Sequence, residues 1–420
     1  MTDDTTLAML RHHAEGGSAD ALHQLAAALV ARHQHEEALA LHRRAADAGH
    51  ERSQVEYARM LMYGIATAAD PQLAAQWLLR AEAAGNPVAS YLLVVLALGD
   101  GGVHDARFNQ RLLAAVQANY PPAVRAAAIH FGRKASAADQ VRCLQLLERG
   151  AGLGDAVCAR LLAERLLHGE GCTPQPEAAR EILQQLARHG IGPLPALAVP
   201  QLHAPDTLEG ALALDEVLRP ATAQPRCERP RVMTIDGLLS ADECRLLIAC
   251  AEPNLARSRT VDPRTGQPQS LEIRTSEDAS FDPILEDLAL RLVQIRMATA
   301  ARMPLANAEH LTVLRYRPGQ EYRPHRDYRP PGSLELDQPQ AGNRQRTICV
   351  YLNEVEAGGE TEFPLPGLRI APSPGRAVIF ENLLPDGRPD VDSLHAGLPV
   401  ERGEKWLATL WLRQGRYRAY

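Results

Sequence analysis

The sequence predicts an α-solenoid joined to a double-sheet β domain with flanking helices, two fold classes in one chain of 420 residues. Three observations predict it. Gly49, Gly85, Asn119, Gly154 and Gly190 recur at spacings of 36, 34, 35 and 36 residues, and the segments between them are rich in Ala and Leu. Prolines crowd the stretch from Pro193 to Pro230. After Arg231 the helical period gives way to short apolar runs separated by Gly and Pro turns. The expected boundaries are helical repeats over 1–192, a connector over 193–230 and a β domain over 231–420, with its core at about 310–415.

Apolar residues make up 45% of the chain, enough for large cores. A net charge of −6 gives no support to nucleic-acid binding. The N-terminal run "MTDDTTLAMLRHHAEGG" has neither a secretory signal nor a membrane-spanning stretch. The seven cysteines form no CxxC pair. Together these features lead us to expect a cytoplasmic protein with reduced thiols, no membrane contact and no nucleic-acid partner. Lysine is nearly absent: Lys134 and Lys405 are the two among 45 basic residues.

In the first half, two helices per unit of about 35 residues make an α-solenoid. Asn119 fits a turn position because Asn is the commonest substitute for Gly where φ is positive. A second set, Gly64, Gly99, Gly132 and Gly169, runs out of phase with the first. "QLAAQWLLRAEAAG" places Leu73, Trp77 and Leu78 at helical spacing and leaves Arg80 and Glu82 for solvent. "ASYLLVVLALG" is apolar nearly all round, as in a helix covered on several sides. "WLLRAEAAGNPVASYLL" and "GDGGVHDARFNQRLLAA" resemble Sel1-like repeats, relatives of the tetratricopeptide repeat, over about residues 15–190. That resemblance implies a surface for a protein partner; packing as a scaffold is the other reading. In the connector, "TLEGALALDEVL" reads as one short helix between two proline-rich runs.

In the second half, "RVMTIDGLL" reads as a strand, and "SADECRLLIACAE" as a helix opened by a capping box of Ser240 and Glu243. "DPILEDLALRLVQIRMATA" reads as a second helix. The short runs that follow, from "LTVLRYRPG" to "EKWLATLWLR", predict a sandwich or barrel. Within "RPHRDYRP", His325 and Asp327 sit two apart, so on a strand both leave one face. They read either as metal ligands or as part of a surface ion-pair cluster among arginines. His395 lies 68 residues after Asp327 on a late strand and supplies a third ligand, completing the two-histidine, one-carboxylate set that suits non-haem Fe(II). Lys405 shares a strand face with Leu407, Thr409 and Trp411, and both faces of this strand are mostly apolar. A buried ammonium needs a counter-ion, which a dicarboxylate ligand would provide.

"YRPGQEYRPHRDY", "RTICVYLNEVEAGGETEFP", "PGRAVIFEN" and "SLHAGLPVERGEKWLATLWLR" together resemble the catalytic domain of the prolyl 4-hydroxylase family, over about residues 231–415. The resemblance implies a double-stranded β-helix, or jelly roll, that works with Fe(II), 2-oxoglutarate and O2. It implies that His325, Asp327 and His395 hold the iron. It implies that Lys405 takes the distal carboxylate of 2-oxoglutarate, helped by the hydroxyls of Tyr316 and Thr361. Tyr322 and Trp411 fall where the family lines its substrate cleft. The implied reaction couples decarboxylation of 2-oxoglutarate to hydroxylation of a prolyl residue in a protein or peptide, with L-ascorbate restoring oxidised iron. Two alternatives stay open: the same chemistry on a free amino acid or small metabolite, and a repeat-based adaptor with an inactive oxygenase domain. Arg315, Arg317, Arg323, Arg326 and Arg329 raise one further expectation, an acidic substrate, if they line the cleft mouth.

Overall fold

A computed structural model describes residues 4–99, 107–195, 197, 210–258, 260–261, 268–269, 273–330 and 332–418. The chain divides into two compact units, one built up to Ala123 and the other from Val124–Arg418. The first holds α1 (Asp4–Glu15), α2 (Ala19–Val30), α3 (His35–Asp47), α4 (Glu51–Tyr63), α5 (Pro71–Ala83), α6 (Pro87–Gly99) and α7 (Phe108–Gln117), each packed on the next. The second opens with α8 (Pro121–Gly132), α9 (Ala137–Gly152), α10 (Ala156–His168) and α11 (Pro176–Ala187).

One turn recurs through both helical stretches. Gly49, Gly85, Asn119, Gly154 and Gly190 all have positive φ. At Gly85 the amide donates to Glu82 O and the next amide, of Asn86, donates to Ala81 O. The same two bonds recur at the other four positions. They satisfy the last carbonyls of each helix and reverse the chain. Pro at the first position of α5 and α11, with side-chain caps from Asp70, Ser136 and Asp155, starts the neighbouring helices. α6 is buried almost all round. Glu82 departs from the sequence reading. It is held by Arg111 at 2.7 Å and Ser90 at 3.1 Å instead of facing solvent. The segment 100–106 of the repeat pattern lies outside the described residues.

In the first unit His23, His42 and His50 converge on the Ser53 hydroxyl at 3.0, 3.4 and 3.1 Å. Burial, then the neighbouring His23 and His50, pushes the His42 imidazole down to about 4. The unfolded chain takes this proton near 6.5 and the folded chain only near 4. Stability from neutral His42 is therefore present above about pH 6.5 and lost as pH falls towards 4, about 3 kcal/mol at the limit. Thermal melts followed by circular dichroism between pH 7 and pH 4 should show this loss, and His42→Gln should flatten it.

The β domain contains β1 (Gln224–Glu228), β2 (Arg231–Ile235), α12 (Ala241–Ala251), β3 (Ala256–Arg257), β4 (Thr260–Val261), β5 (Pro268–Gln269), β6 (Glu277–Phe281) and α13 (Leu288–Ala300). There follow β7 (Leu311–Tyr316), β8 (Tyr322–His325), β9 (Arg344–Tyr351), β10 (Ala357–Gly358), β11 (Thr361–Phe363) and β12 (Leu368–Ile370). The last are β13 (Ala377–Glu381), β14 (His395–Gly397), β15 (Val400–Arg402) and β16 (Lys405–Arg413). An eight-stranded antiparallel sheet runs β1-β2-β13-β9-β16-β7-β6-β3, and a four-stranded antiparallel sheet runs β12-β11-β14-β8. Val232, Tyr351, Val378, Phe380 and Leu407 of the large sheet share one core with Phe363 and Ile370 of the small one. This is a jelly roll, with α12 packed on β6 and β7, and α13 on β16.

Three local readings change. The connector segment 198–209 lies outside the described residues, and only a short 3-10 turn, Leu214–Leu218, appears where "TLEGALALDEVL" reads as a helix. The end of the connector forms β1, an edge strand that tolerates Pro225. The second helix begins at Leu288, not near Asp282. Pro283 sits in a separate 3-10 turn, and the Asp287 side chain accepts from Leu290 N at 2.8 Å, so the helix is capped afresh there.

Arginines of α8 and α10 reach the ends of α12 and α13. Arg165 pairs with Asp242, which also meets Arg245; Arg245 pairs with Glu170 at 2.6 Å. Arg133 pairs with Glu243, the capping-box residue of α12. Arg125 pairs with Asp287, the cap of α13, at 2.6 Å. A Cβ on Gly132 would collide with the Asp242 carboxylate and the Arg165 guanidinium. The glycine at that position therefore permits the close approach of α8 to α12.

Candidate active site

The site lies between the two sheets. β14 pairs with β8 so that His395 stands directly opposite His325, with a bulge before Gly397 meets Tyr322. β8 ends at His325, and Asp327 lies on the bend that follows. The strand-face argument for the HxD pair therefore does not apply. The bend brings the carboxylate back towards the strand end.

Asp327 Oδ1 lies 3.6 Å from His325 Nε2, and Oδ2 lies 3.7 Å from His395 Nε2. Ligand-capable atoms of the three residues all lie within 4.8 Å of one another. His325 Nδ1 is 2.8 Å from Arg323 O, and His395 Nδ1 is 2.9 Å from Ser393 O. A carbonyl only accepts, so each Nδ1 carries the hydrogen and each Nε2 presents a lone pair to the gap. Burial, then the nearby His325, pushes His395 down to about 4, which keeps it a neutral donor at pH 7. Burial alone would raise the Asp327 carboxyl; its interactions with His395 and His325, together with the positive charge of Arg344, outweigh it and hold the group well below the usual carboxylate range. Two neutral imidazoles and one carboxylate fit a divalent transition metal with open positions, Fe(II) among them.

Lys405, Leu407, Thr409 and Trp411 line the same cavity as the three candidate ligands, as do Tyr316, Tyr322 and Thr361. Lys405 is 2% exposed and stands opposite Tyr316 in the β16–β7 register, its Nζ 5.2 Å from that ring and 5.5 Å from the Tyr351 ring. Among the described residues it makes no ion pair. Burial pushes its ammonium down to about 8, with Cys349 and Glu360 opposing. The Thr361 hydroxyl is 2.6 Å from the Tyr351 hydroxyl. The Tyr322 ring stacks on His325 at 3.4 Å, and the Trp411 indole N–H is buried with no hydrogen-bond partner among the described residues. This cavity can take an anionic ligand at Lys405 and a second polar ligand near Trp411.

Sequence reasoning did not single out four residues here. Arg274 lines the cavity, 5.6 Å from the Tyr322 ring, and pairs with Asp278. Arg344 stacks 4.2 Å from Trp411 and pairs with Glu309. Thr347 and Asn382 stand behind Asp327. Spacing carries no signal for any of them, since each acts through a partner on another strand or loop. The expected cationic cleft mouth is weakened. Arg315 and Arg317 face Glu277, Arg323 faces Glu321 and Arg329 faces Asp337, so the chain's own carboxylates match four of the five arginines. Arg326 donates to Val391 O at 2.8 Å.

Comparison with known proteins agrees with both halves of this description. Residues 311–413 match the family model of the 2OG-Fe(II) oxygenase superfamily, and residues 20–50, 52–86 and 156–191 match that of the Sel1 repeat. The chain is 35% identical over 208 residues to probable prolyl 4-hydroxylase 3 of Arabidopsis thaliana, covering 45% of this chain and 71% of that protein. It is 32% identical to a viral collagen prolyl hydroxylase from Paramecium bursaria Chlorella virus-1, covering 43% of this chain and 95% of that one, with a TM-score of 0.34. It is 22% identical to a Sel1 repeat protein from Oxalobacter formigenes, covering 41% of this chain and 74% of that one, with a TM-score of 0.37. No helix among the described residues is long and apolar enough to cross a membrane.

Proposed function

Since the chain belongs to the prolyl 4-hydroxylase family of 2-oxoglutarate- and Fe(II)-dependent oxygenases, we propose that it hydroxylates prolyl residues in a protein or peptide substrate. In this reading His325, Asp327 and His395 hold the iron. The bound iron supplies the O2 chemistry that couples decarboxylation of 2-oxoglutarate to hydroxylation of the substrate, with ascorbate restoring it when oxidised. Lys405 receives the distal carboxylate of 2-oxoglutarate, and the Tyr316 and Thr361 hydroxyls orient it. Tyr322 and Trp411 line the side from which the prolyl ring enters. The repeats recruit the substrate or a partner protein, and the enzyme works in the cytoplasm.

The supporting observation is the meeting, in one cavity, of a buried ammonium that makes no ion pair among the described residues and three ligand-capable side chains that face one gap. The test is mass spectrometry of proline-containing peptides and of free proline after incubation with Fe(II), 2-oxoglutarate and ascorbate. A gain of one oxygen atom on peptidyl proline supports the reading. Oxygen gained only on free proline, or on no proline at all, overturns it.

Lys405 adds a pH signature. With its folded value near 8, about half of it is neutral at pH 8, and a bound dicarboxylate will restore the charge. Titration of 2-oxoglutarate into Mn(II)-loaded protein at pH 8, in two buffers of different ionisation enthalpy, should register uptake of about half a proton per site. Lys405→Met should abolish that uptake and raise the KM for 2-oxoglutarate by about 100-fold, the loss of one charge-assisted contact of about 3 kcal/mol.

A further inference from the structure

Asp327 stands beyond the end of β8, so no strand ladder fixes its side chain. What holds it is a line of two buried polar groups. The Thr347 hydroxyl, on β9, is 2.8 Å from Asp327 Oδ2. The Asn382 amide nitrogen, one residue past β13, is 2.9 Å from the same Thr347 hydroxyl. Both residues are fully buried. Asn382 is itself anchored, its backbone amide donating to Gln345 O at 2.8 Å and its carbonyl accepting from Asp390 N at 2.9 Å.

The direction of this line follows from donor counting. An ionised carboxylate only accepts, so the single hydroxyl hydrogen of Thr347 must point at Asp327. Thr347 can then only accept from behind, which requires the NH2 side of Asn382, as found. The cost of this orientation is visible: Asn382 Oδ1 is buried without a hydrogen-bond partner among the described residues. A buried amide left half-satisfied points to a constraint stronger than its own hydrogen bonding.

We propose that Thr347 and Asn382 are positioning residues: a one-way hydroxyl–amide relay that ties down one oxygen of Asp327 and leaves the other for the metal. This rests on the reading of His325, Asp327 and His395 as the metal-holding set. The relay fixes the angle at which the carboxylate meets the gap. Thr347 and Asn382 touch neither substrate nor metal. They act through Asp327 alone.

The test is a titration of the full-length, metal-free protein with Co(II), read by calorimetry and by the visible absorption of the bound ion, after thermal melts have established folding. Thr347→Val keeps the branched shape and removes the hydroxyl. It should weaken Co(II) binding by about 10- to 100-fold and alter the absorption bands, while Thr347→Ser should stay within about threefold of wild type. Asn382→Ala should weaken binding by a smaller factor. The double variant should bind no worse than Thr347→Val, because both residues act through one hydroxyl. If Asp327→Ala loses Co(II) but Thr347→Val keeps wild-type affinity and spectrum, the relay is refuted while the triad stands. If Asp327→Ala binds Co(II) as wild type does, the triad reading fails and the relay with it. Should Thr347→Val not fold, Asn382→Ala decides alone: wild-type affinity and spectrum refute the relay.

Discussion

Replacing Asp327 by alanine will reduce succinate formation from 2-oxoglutarate by at least about a thousandfold, a barrier change of roughly 4 kcal/mol. The size of the effect follows from the charge arithmetic of the cavity. Among the three candidate ligands Asp327 is the one anion, it is 6% exposed, and its carboxyl is held ionised at every physiological pH. Without it, two imidazoles face a divalent ion in a buried site, and the candidate ligand set holds no anion to balance the charge. Uncoupled turnover without peptide is the right assay, because it isolates the co-substrate half of the reaction from the unidentified substrate. Succinate release within tenfold of wild type would refute the assignment of this carboxylate.

Asp242→Ala should lower the stability of the second unit by about 3–5 kcal/mol, the usual cost of breaking a buried charge cluster from one side. Asp242 is 1% exposed, as is the Arg245 side chain that it meets together with Arg165. Burial would raise its carboxyl; Arg165 and Arg245 outweigh that and hold it low. Removing it leaves Arg165 with Gln140 as a neutral partner at 2.8 Å, while Arg245 keeps Glu170. For a unit of this size the melting temperature should fall by roughly 5–8 °C in calorimetry. A fall of less than about 2 °C would mean that the cluster is already open to water. The affinity for 2-oxoglutarate below the melt should not change, since Asp242 lies on α12 and does not line the cavity.

How legible the protein was in its sequence depended on the range of each interaction. The repeat turns were readable because each is a local event: a positive φ at Gly85 or Asn119 needs only its own helix end. The strands were readable as short apolar runs between Gly and Pro turns, and β16 separates its two faces at the positions the pattern gave, with Lys405, Leu407, Thr409 and Trp411 on the cavity side. The HxD pair was found by an argument about strand faces that the bend at Asp327 does not obey. Thr347 and Arg344 went unnoticed because Thr and Arg fill strands everywhere, and only the register of β9 with β13 and β16 gives them a task; Arg274 and Asn382 lie outside the named strands, where no periodicity points to them. The link between α10 and α12 joins residues 77 apart in the chain, such as Arg165 and Asp242, and no local motif announces it.

The direct opposition of His325 and His395 across β8 and β14 has a consequence for assembly. These are short strands, of four and three residues, in a small sheet. A slide of one residue between them would turn one imidazole to the far side and separate the pair. An ion bridging the two rings would act as a clasp that selects the correct alignment, so its binding energy would count towards folding. Amide hydrogens of β8 and β14 should then exchange more slowly once the ion is bound, and those of α2 and α3 should not respond.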